Sequence, residues 1–133
     1  MKELREFIRY SLESGSYKSA FAEIEGKTVI KGIISDLSTG GFSLVIDLKD
    51  AVETDFVLEK YFFVRINFKR FTINAEVEKK WSLLKKSDND KIFIAGVSFK
   101  VISGEDRLRL NEIIENLRSE SSTGIPGSIK QSS

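Results

Sequence analysis

The sequence contains no cysteine and no histidine, and these two absences remove several kinds of chemistry at once. Without cysteine there are no disulfides, no thiolate nucleophiles and no cysteine-ligated zinc; without histidine there is no imidazole base for a catalytic triad. We therefore expect neither a metal site nor catalytic residues. Carboxylate-only or Mg²⁺-dependent hydrolysis is the remaining enzymatic alternative, but no phosphate loop of the GxxxxGKS or GxxxxGKT type supports it.

Long apolar runs and an excess of one charge are missing as well. Lys and Arg (21) nearly balance Asp and Glu (20), whereas a protein that coats nucleic acid usually needs a clear basic excess. We therefore expect no nucleic-acid partner, although aromatic residues in the strands leave a stacking platform as an alternative.

No apolar run approaches the roughly 20 residues of a membrane span. The first ten residues also lack the apolar stretch of a signal peptide, so we expect a cytoplasmic protein without membrane insertion.

Apolar residues in the middle of the chain alternate with a period of two, which is typical of β-strands. Stretches of this kind occur at 17–25, 28–36, 41–47, 61–68, 71–81 and 92–102. Turns are predicted at 26–27 and 69–70 and a polar hairpin loop at 83–91, while 48–59 stay undecided between a loop and a helical turn. Six short strands joined by turns predict a small antiparallel barrel in a single domain.

The two ends of the chain differ from this middle part. Apolar residues recur at helical spacing in the first twelve positions, so the N-terminal arm is predicted to be a short helix or an ordered extension. Near the other end, an apolar stripe preceded by Ser103 as the N-cap predicts an amphipathic helix. The predicted organisation is an arm at 1–16, a barrel at 17–102, a helix at 103–119 and a disordered, Ser- and Gly-rich tail at 120–133.

Two short segments carry the candidate binding residues. The loop DLSTGG at 36–41 holds Asp36, Ser38 and Gly41, and Asp, Ser and Gly are also ordinary turn residues, so a structural turn is the simpler interpretation of the loop alone. Arg5 and Arg9 are four residues apart and would repel each other on a helix unless an anion lay between them. Alone, such a pair is usually solvated, but its guanidinium groups are also suited to bidentate binding and stacking.

In their order along the chain, the segments LREFIRY at 4–10 and SDLSTGGFSL at 35–44 resemble the PilZ domain family. The family pattern is an Arg-xxx-Arg arm ahead of the barrel, an Asp/Asn-x-Ser-x-x-Gly motif entering the third strand, and a Gly-x-x-Phe on the last strand, here Gly96 to Phe99. The resemblance covers residues 4–118. It implies a mainly β fold, a six-stranded antiparallel PilZ-like barrel with a C-terminal α-helix.

PilZ domains are receptors for the bacterial second messenger cyclic di-GMP, and the resemblance implies that role here, without enzymatic activity or a cofactor. By position in the motifs, Arg5 and Arg9 would bind phosphate and guanine, Asp36 and Ser38 would take a guanine edge, and Gly41 would permit close backbone approach. Ligand capture would order the arm, and an unidentified protein partner would respond to it. The implied function is a stand-alone receptor; the alternative is a degenerate PilZ-fold adaptor that binds no nucleotide.

Overall fold

The computed structural model describes residues 8–12, 15, 17–25, 30–48, 59–86 and 90–123. Within these residues the chain forms seven β-strands followed by one α-helix. The elements are β1 (Tyr10–Ser11), β2 (Phe21–Ile24), β3 (Ile30–Leu37), β4 (Gly41–Asp47), β5 (Tyr61–Asn67), β6 (Thr72–Lys86), β7 (Lys91–Ile102) and α1 (Gly104–Thr123). Helix α1 does not combine the length and hydropathy of a membrane span.

Six of the strands form a closed antiparallel barrel, as the sequence predicts. The hydrogen-bonded order is β3-β2-β5-β6-β7-β4, and the pairing of β4 with β3 closes the ring. In β2 to β5 and in the first half of β6, alternate residues are buried and fill the described part of the barrel, so we expect a ligand to bind on its outer surface. The inward-facing aliphatic and aromatic side chains include Ile34, Phe42, Leu44, Ile46, Val64, Ile66, Ile73 and Val77.

The end of the N-terminal arm is extended, so the helical alternative is wrong for the part of it that the structure describes. Strand β2 pairs with β3 only as far as Ile33, which leaves the backbone of Asp36 and Leu37 free on that side. Strand β1 fills this gap in antiparallel register, and the Leu12 amide donates to Ser35 O at 2.9 Å. Leu12 is buried in the core. Tertiary hydrogen bonding and burial thus override the helical spacing of the arm.

The hairpin of β6 and β7 is longer than predicted, and the loop predicted at 83–91 is wrong for residues 83–86 and for Lys91, which begins β7. Strand β6 runs to Lys86, which pairs with Lys91, and Leu83 and Leu84 lie opposite Ile94 and Phe93. These apolar cross-strand pairs stabilise the ladder beyond the point where the polar sequence suggests a loop. Two register shifts, at 76–77 and 79–81, mark bulges in this long strand pair.

Helix α1 covers one end of the barrel with Leu110, Ile113, Ile114 and Leu117. The Asp106 amide donates to Ser103 Oγ at 3.1 Å, which confirms the predicted N-cap. The helix is longer than the predicted range 103–119 and ends at Thr123. Its extra turn includes Glu120, which lies beside the arm at Gly15: a Cβ there would be 2.8 Å from the Glu120 carboxylate.

Other boundaries move by a few residues. The predicted strand at 17–25 shortens to β2 because residues 17–20 form a turn, closed by a 3.0 Å bond from the Ala20 amide to Tyr17 O. Strand β4 has the predicted bounds, and the predicted turn at 69–70 is confirmed by a 2.8 Å bond from the Phe68 amide to Phe71 O. The predicted turn at 26–27, most of 48–59 and the tail from 124 lie outside the described residues.

Candidate functional site

Asp36 lies on the outer face of the barrel, at the end of β3 rather than in a loop. It pairs with Ser43, whose neighbours Phe42 and Leu44 both point into the core, so Asp36 and Ser43 share the outward face. A bulge between Ile34 and Asp36 changes the alternation of β3 just before this point. The bulge therefore turns the Asp36 carboxylate toward solvent while Leu37 stays in the core.

Ser38 is buried and uses its hydroxyl to close the turn between β3 and β4. Its Oγ accepts hydrogen bonds from the amides of Gly40 and Gly41, both at 3.1 Å. The same hydroxyl donates a hydrogen bond to Gly41 O at 3.2 Å. The Ser38 amide donates to the same carbonyl at 2.8 Å. Only 1% of Ser38 is exposed. The structure therefore places this predicted ligand contact inside the turn, where it fixes the backbone next to Asp36.

Gly41 begins β4 at a close approach to β7. It pairs with Ser98, and a Cβ at this position would overlap the carbonyl oxygen of Val97. Among the described glycines only Gly15 has a left-handed backbone, with φ of 92°. Glycine at position 41 is thus required by the contact with the neighbouring strand and not by its own backbone angles.

Arg9 and Asp36 form an ion pair on the outer surface, although 27 residues separate them in the sequence. The distance from Arg9 Nη1 to Asp36 Oδ1 is 2.8 Å, and the two side chains are 46% and 30% exposed. Strand β1 produces this contact because its pairing with the end of β3 holds the preceding residue, Arg9, beside the turn. Arg5, the other predicted arginine, lies outside the described residues.

Arg107 is a further residue at this turn that sequence reasoning missed. It extends from the first part of α1, donates from Nη1 to Thr39 O at 2.6 Å, and lies over the Phe99 ring with its guanidinium carbon 5.7 Å from the centroid. The contact to Thr39 spans 68 residues, so no local spacing indicates it. Arg107 attaches the β3–β4 turn to the helix and to the Gly-x-x-Phe strand.

The other end of α1 contacts the arm. A side-chain hydrogen bond to Tyr10, together with the Glu115 carboxylate at 3.0 Å, raises the pKa of the Arg118 guanidinium above its usual range. Arg118 thus links the helix to β1, the strand that directly follows Arg9. The arm is held in this way by β3 on one side and by α1 on the other.

The site as a whole offers charge and hydrogen bonds. The Arg9 guanidinium retains further N–H donors beside the Asp36 carboxylate, so a donor array and an acceptor group lie next to each other in a solvent-exposed position. No three Asp or Glu side chains within the described ranges are grouped so that they could hold a metal ion. The arrangement can bind a polar, charged ligand by direct contacts of this kind.

Solved structures with the same fold are PilZ domain proteins. The PilZ domain of YcgR from Escherichia coli, determined with c-di-GMP, is similar at a TM-score of 0.68 and 16% identity, covering 92% of this chain and 100% of that chain. MrkH of K. pneumonia in its c-di-GMP complex is similar at a TM-score of 0.68 and 18% identity, and the match covers 93% of this chain and 57% of MrkH. The Bacillus subtilis inhibitor of motility MotI is similar at a TM-score of 0.63 and 11% identity, and the match covers 94% of this chain and 55% of MotI.

These likenesses establish the fold: the chain has the PilZ fold, a six-stranded barrel with one extra strand and a C-terminal helix. The chain matches the whole of the YcgR domain but spans only a little over half the length of MrkH and MotI. No protein-family model matches the sequence, and no curated protein matches it.

Proposed function

We propose that this PilZ-fold chain is a receptor for cyclic di-GMP, which binds on the outer face of the barrel beside the β3–β4 turn. The observation that carries the proposal is the pairing of Arg9 with Asp36, which places the second arginine of the Arg-xxx-Arg segment beside the first residue of the Asp-x-Ser-x-x-Gly motif. Two similar structures of this fold, YcgR and MrkH, were determined with c-di-GMP.

The chemistry of the two side chains suits this ligand. Cyclic di-GMP carries two phosphate charges and two guanines, and the O6 and N7 acceptors of guanine match the fork of an arginine. The N1 and N2 hydrogens on the opposite guanine edge suit a carboxylate acceptor. We assign the guanine edge to Asp36, and phosphate or the O6/N7 edge to Arg9, with Arg5 as a second arginine of the same motif.

Ser38 and Gly41 then act through the backbone. The hydroxyl of Ser38 is engaged by the amides of Gly40 and Gly41, so its main contribution is to hold the turn in which Asp36 is presented. Gly41 allows the turn to lie close against β7. Both are positioning residues for the proposed ligand rather than its principal contacts.

The response to the ligand would pass through the arm. Arg9 directly precedes β1, so a ligand that draws the guanidinium away from Asp36 also acts on the strand pairing of Tyr10 and Ser11. A protein partner that senses the arm would then receive the signal in the cytoplasm.

A degenerate adaptor that binds no nucleotide is the second candidate. The observation that favours it is that Arg9 and Asp36 are already paired with each other and that the Ser38 hydroxyl is engaged in the turn. In an adaptor these contacts would serve the fold alone.

Titration calorimetry with cyclic di-GMP separates the two candidates. We expect saturable binding at micromolar concentration or tighter, no comparable binding of GTP, and a roughly 10- to 100-fold loss of affinity in Arg9→Ala. One charge-assisted contact of about 1.5–3 kcal/mol accounts for that loss. The melting temperature should change little, because an exposed ion pair contributes only about 0–1 kcal/mol to stability.

Arg65→Ala is a matched control. Arg65 forms an ion pair with Glu23 at 3.9 Å, with exposures of 54% and 31% that resemble those of Arg9 and Asp36. It lies on β5, across the barrel from β4, so its loss should leave the affinity unchanged. Equal affinity of Arg9→Ala and the native chain would refute the proposed site, and absence of binding by the native chain would favour the adaptor.

A further inference from the structure

A cavity of about 400 Å³ lies between helix α1, the turn at 17–20 and the turn that joins β5 to β6. We propose that this cavity is a second ligand site, which takes a small organic anion with an aromatic body, an aryl phosphate or an aryl carboxylate. The proposal goes beyond cyclic di-GMP binding and does not depend on it. The residues that line the cavity are Tyr17, Lys69, Arg70, Phe71, Glu112 and Asn116.

The cavity is on the opposite side of the barrel from Asp36. In the closed strand order the β5–β6 pair lies across the ring from the β3–β4 pair. Strands β3 and β5 both run antiparallel to β2, so the turns that follow them are at the same end of the barrel. Helix α1 spans this end, from the contact of Arg107 with the β3–β4 turn to Glu112 and Asn116 at the cavity. The cavity is therefore separate from the site at Asp36.

Two aromatic side chains in fixed positions form part of the wall. The Tyr17 ring packs edge-on against Phe68, with 5.9 Å between the centroids, and its hydroxyl accepts a hydrogen bond from Asn116 Nδ2 at 2.8 Å. A phenolic hydroxyl that accepts in this way keeps its own hydrogen to donate, and no described residue accepts it. Phe71 is placed by the hydrogen bond that closes the β5–β6 turn. The wall thus offers aromatic surface and a hydroxyl donor.

Lys69 and Arg70 bring two positive charges to the cavity. Within the described ranges neither side chain forms a hydrogen bond, an ion pair or a cation–π contact. Of the arginines that the structure describes, Arg70 alone has no partner for its guanidinium. Adjacent like charges repel each other, and a bound anion would relieve that repulsion through charge-assisted hydrogen bonds.

Glu112 limits the charge that the cavity prefers. Its carboxylate lines the same space and has no cationic partner in the described part of the chain. Two cations and one carboxylate leave the lining with a net positive charge, which favours an anion. A volume of this size suits a single substituted ring, since small-molecule pockets begin at about 300 Å³. Removal of the Glu112 charge should therefore strengthen anion binding, whereas removal of the cations should weaken it.

Phenyl phosphate is the probe for a test on the full chain, followed by proton–nitrogen correlation NMR. We expect saturable shifts of the amides of Tyr17, Lys69, Phe71 and Asn116, with a dissociation constant of about 1 mM or below. Inorganic phosphate lacks the ring and benzyl alcohol lacks the charge, so each should bind at least about 5-fold more weakly. A parallel titration with benzoate shows whether the site prefers the phosphate or the carboxylate form of the anion.

Three variants examine the assigned residues. The double variant Lys69→Ala/Arg70→Ala should bind phenyl phosphate roughly 10- to 100-fold more weakly, and Glu112→Gln about 2- to 10-fold more tightly. The matched control is Lys85→Ala/Lys86→Ala, which removes the same charge from two adjacent exposed residues at the other end of β6 and should leave the affinity unchanged. A folding defect cannot imitate the tighter binding expected of Glu112→Gln.

Three results would overturn the proposal. The first is the absence of saturable shifts at the cavity amides with both phenyl phosphate and benzoate. The second is equal weakening in the two double variants, which would indicate general attraction of anions to a positive surface. The third is equal affinity for inorganic phosphate and phenyl phosphate, which would remove the aromatic part of the assignment. Each result is independent of the calorimetry with cyclic di-GMP, so this proposal and the proposed receptor function can fail separately.

Discussion

Single residues around the β3–β4 turn divide into those that build it and those that face outward from it. Ser38 and Gly41 are motif residues, yet both are oriented toward the chain itself, one through three hydrogen bonds of its hydroxyl and the other through contact with β7. Arg9 and Asp36 face solvent. A binding motif in the sequence therefore contains two physically different roles, and stability and affinity measurements can separate them.

Replacement of Ser38 by alanine should lower the free energy of unfolding by about 1–3 kcal/mol. The substitution leaves the amides of Gly40 and Gly41 without the acceptor that the buried hydroxyl provides. Urea unfolding measures the change. Ser82→Ala is the control, since Ser82 is exposed and its change should stay within about 0.5 kcal/mol. If the two variants were equally stable, the hydroxyl would not be important for the turn.

At the scale of elements, the described end of the arm is attached to both β3 and α1. Strand β1 has two residues; it pairs with β3, Leu12 beyond it is buried in the core, and Tyr10 contacts Arg118. A short strand at the margin of a sheet can open locally without unfolding of the barrel. If cyclic di-GMP binds as proposed, the arm is therefore the element through which binding would change the surface.

Leu12→Ala should destabilise the protein by about 2–5 kcal/mol and weaken the protection against hydrogen exchange of the amide at position 12, which donates to Ser35 O. Leu12 is 1% exposed within the core, so its truncation leaves a cavity and removes the main anchor of β1. Ile8→Ala is a control in the same arm, since Ile8 is 67% exposed and should be nearly neutral. Unchanged exchange of the amide at position 12 in Leu12→Ala would mean that the arm is held by other contacts.

At the scale of the whole molecule, closure of the barrel depends on β4, which pairs with β3 on one side and β7 on the other. Asp36, Ser43 and Gly96 lie opposite one another on these three adjacent strands, so the proposed site at Asp36 is built on the pairing of β3 with β4. A closed barrel keeps these strands at fixed spacing without help from the ligand. The proposed binding face is therefore organised by the fold, and the pairing of β1 with β3 places Arg9 beside it.

The variant Gly41→Ala tests this closure, and we expect its free energy of unfolding to fall by at least about 1–3 kcal/mol. The new methyl group would overlap Val97 O, so β4 and β7 would have to separate at the start of their ladder. Gly104→Ala is the matched control, because a Cβ at that helical position meets nothing within 4 Å and should be neutral or stabilising by up to about 1 kcal/mol. Thermal unfolding of both variants gives the comparison, and a stable Gly41→Ala would show that the strands do not need this close approach.

The sequence by itself determined most of the elements and the fold. Period-two alternation predicted the six barrel strands, with β4 at its observed bounds, and Ser103 with the apolar stripe predicted the start of the helix. The order of the two motifs predicted the PilZ fold, which the similar structures confirm. These features are encoded locally, because side-chain periodicity and capping depend on residues only a few positions apart.

Only the tertiary structure decided which distant groups meet. It paired Arg9 with Asp36, 27 residues away in the sequence, and Arg107 with the carbonyl of Thr39, 68 residues away. It also placed the Trp81 ring over Gly96. It also turned the end of the arm into a strand and extended the β6–β7 hairpin to Lys86. The reason is that periodicity tells which face of a strand a residue occupies, whereas contacts between strands depend on register, bulges and closure, which no local pattern specifies.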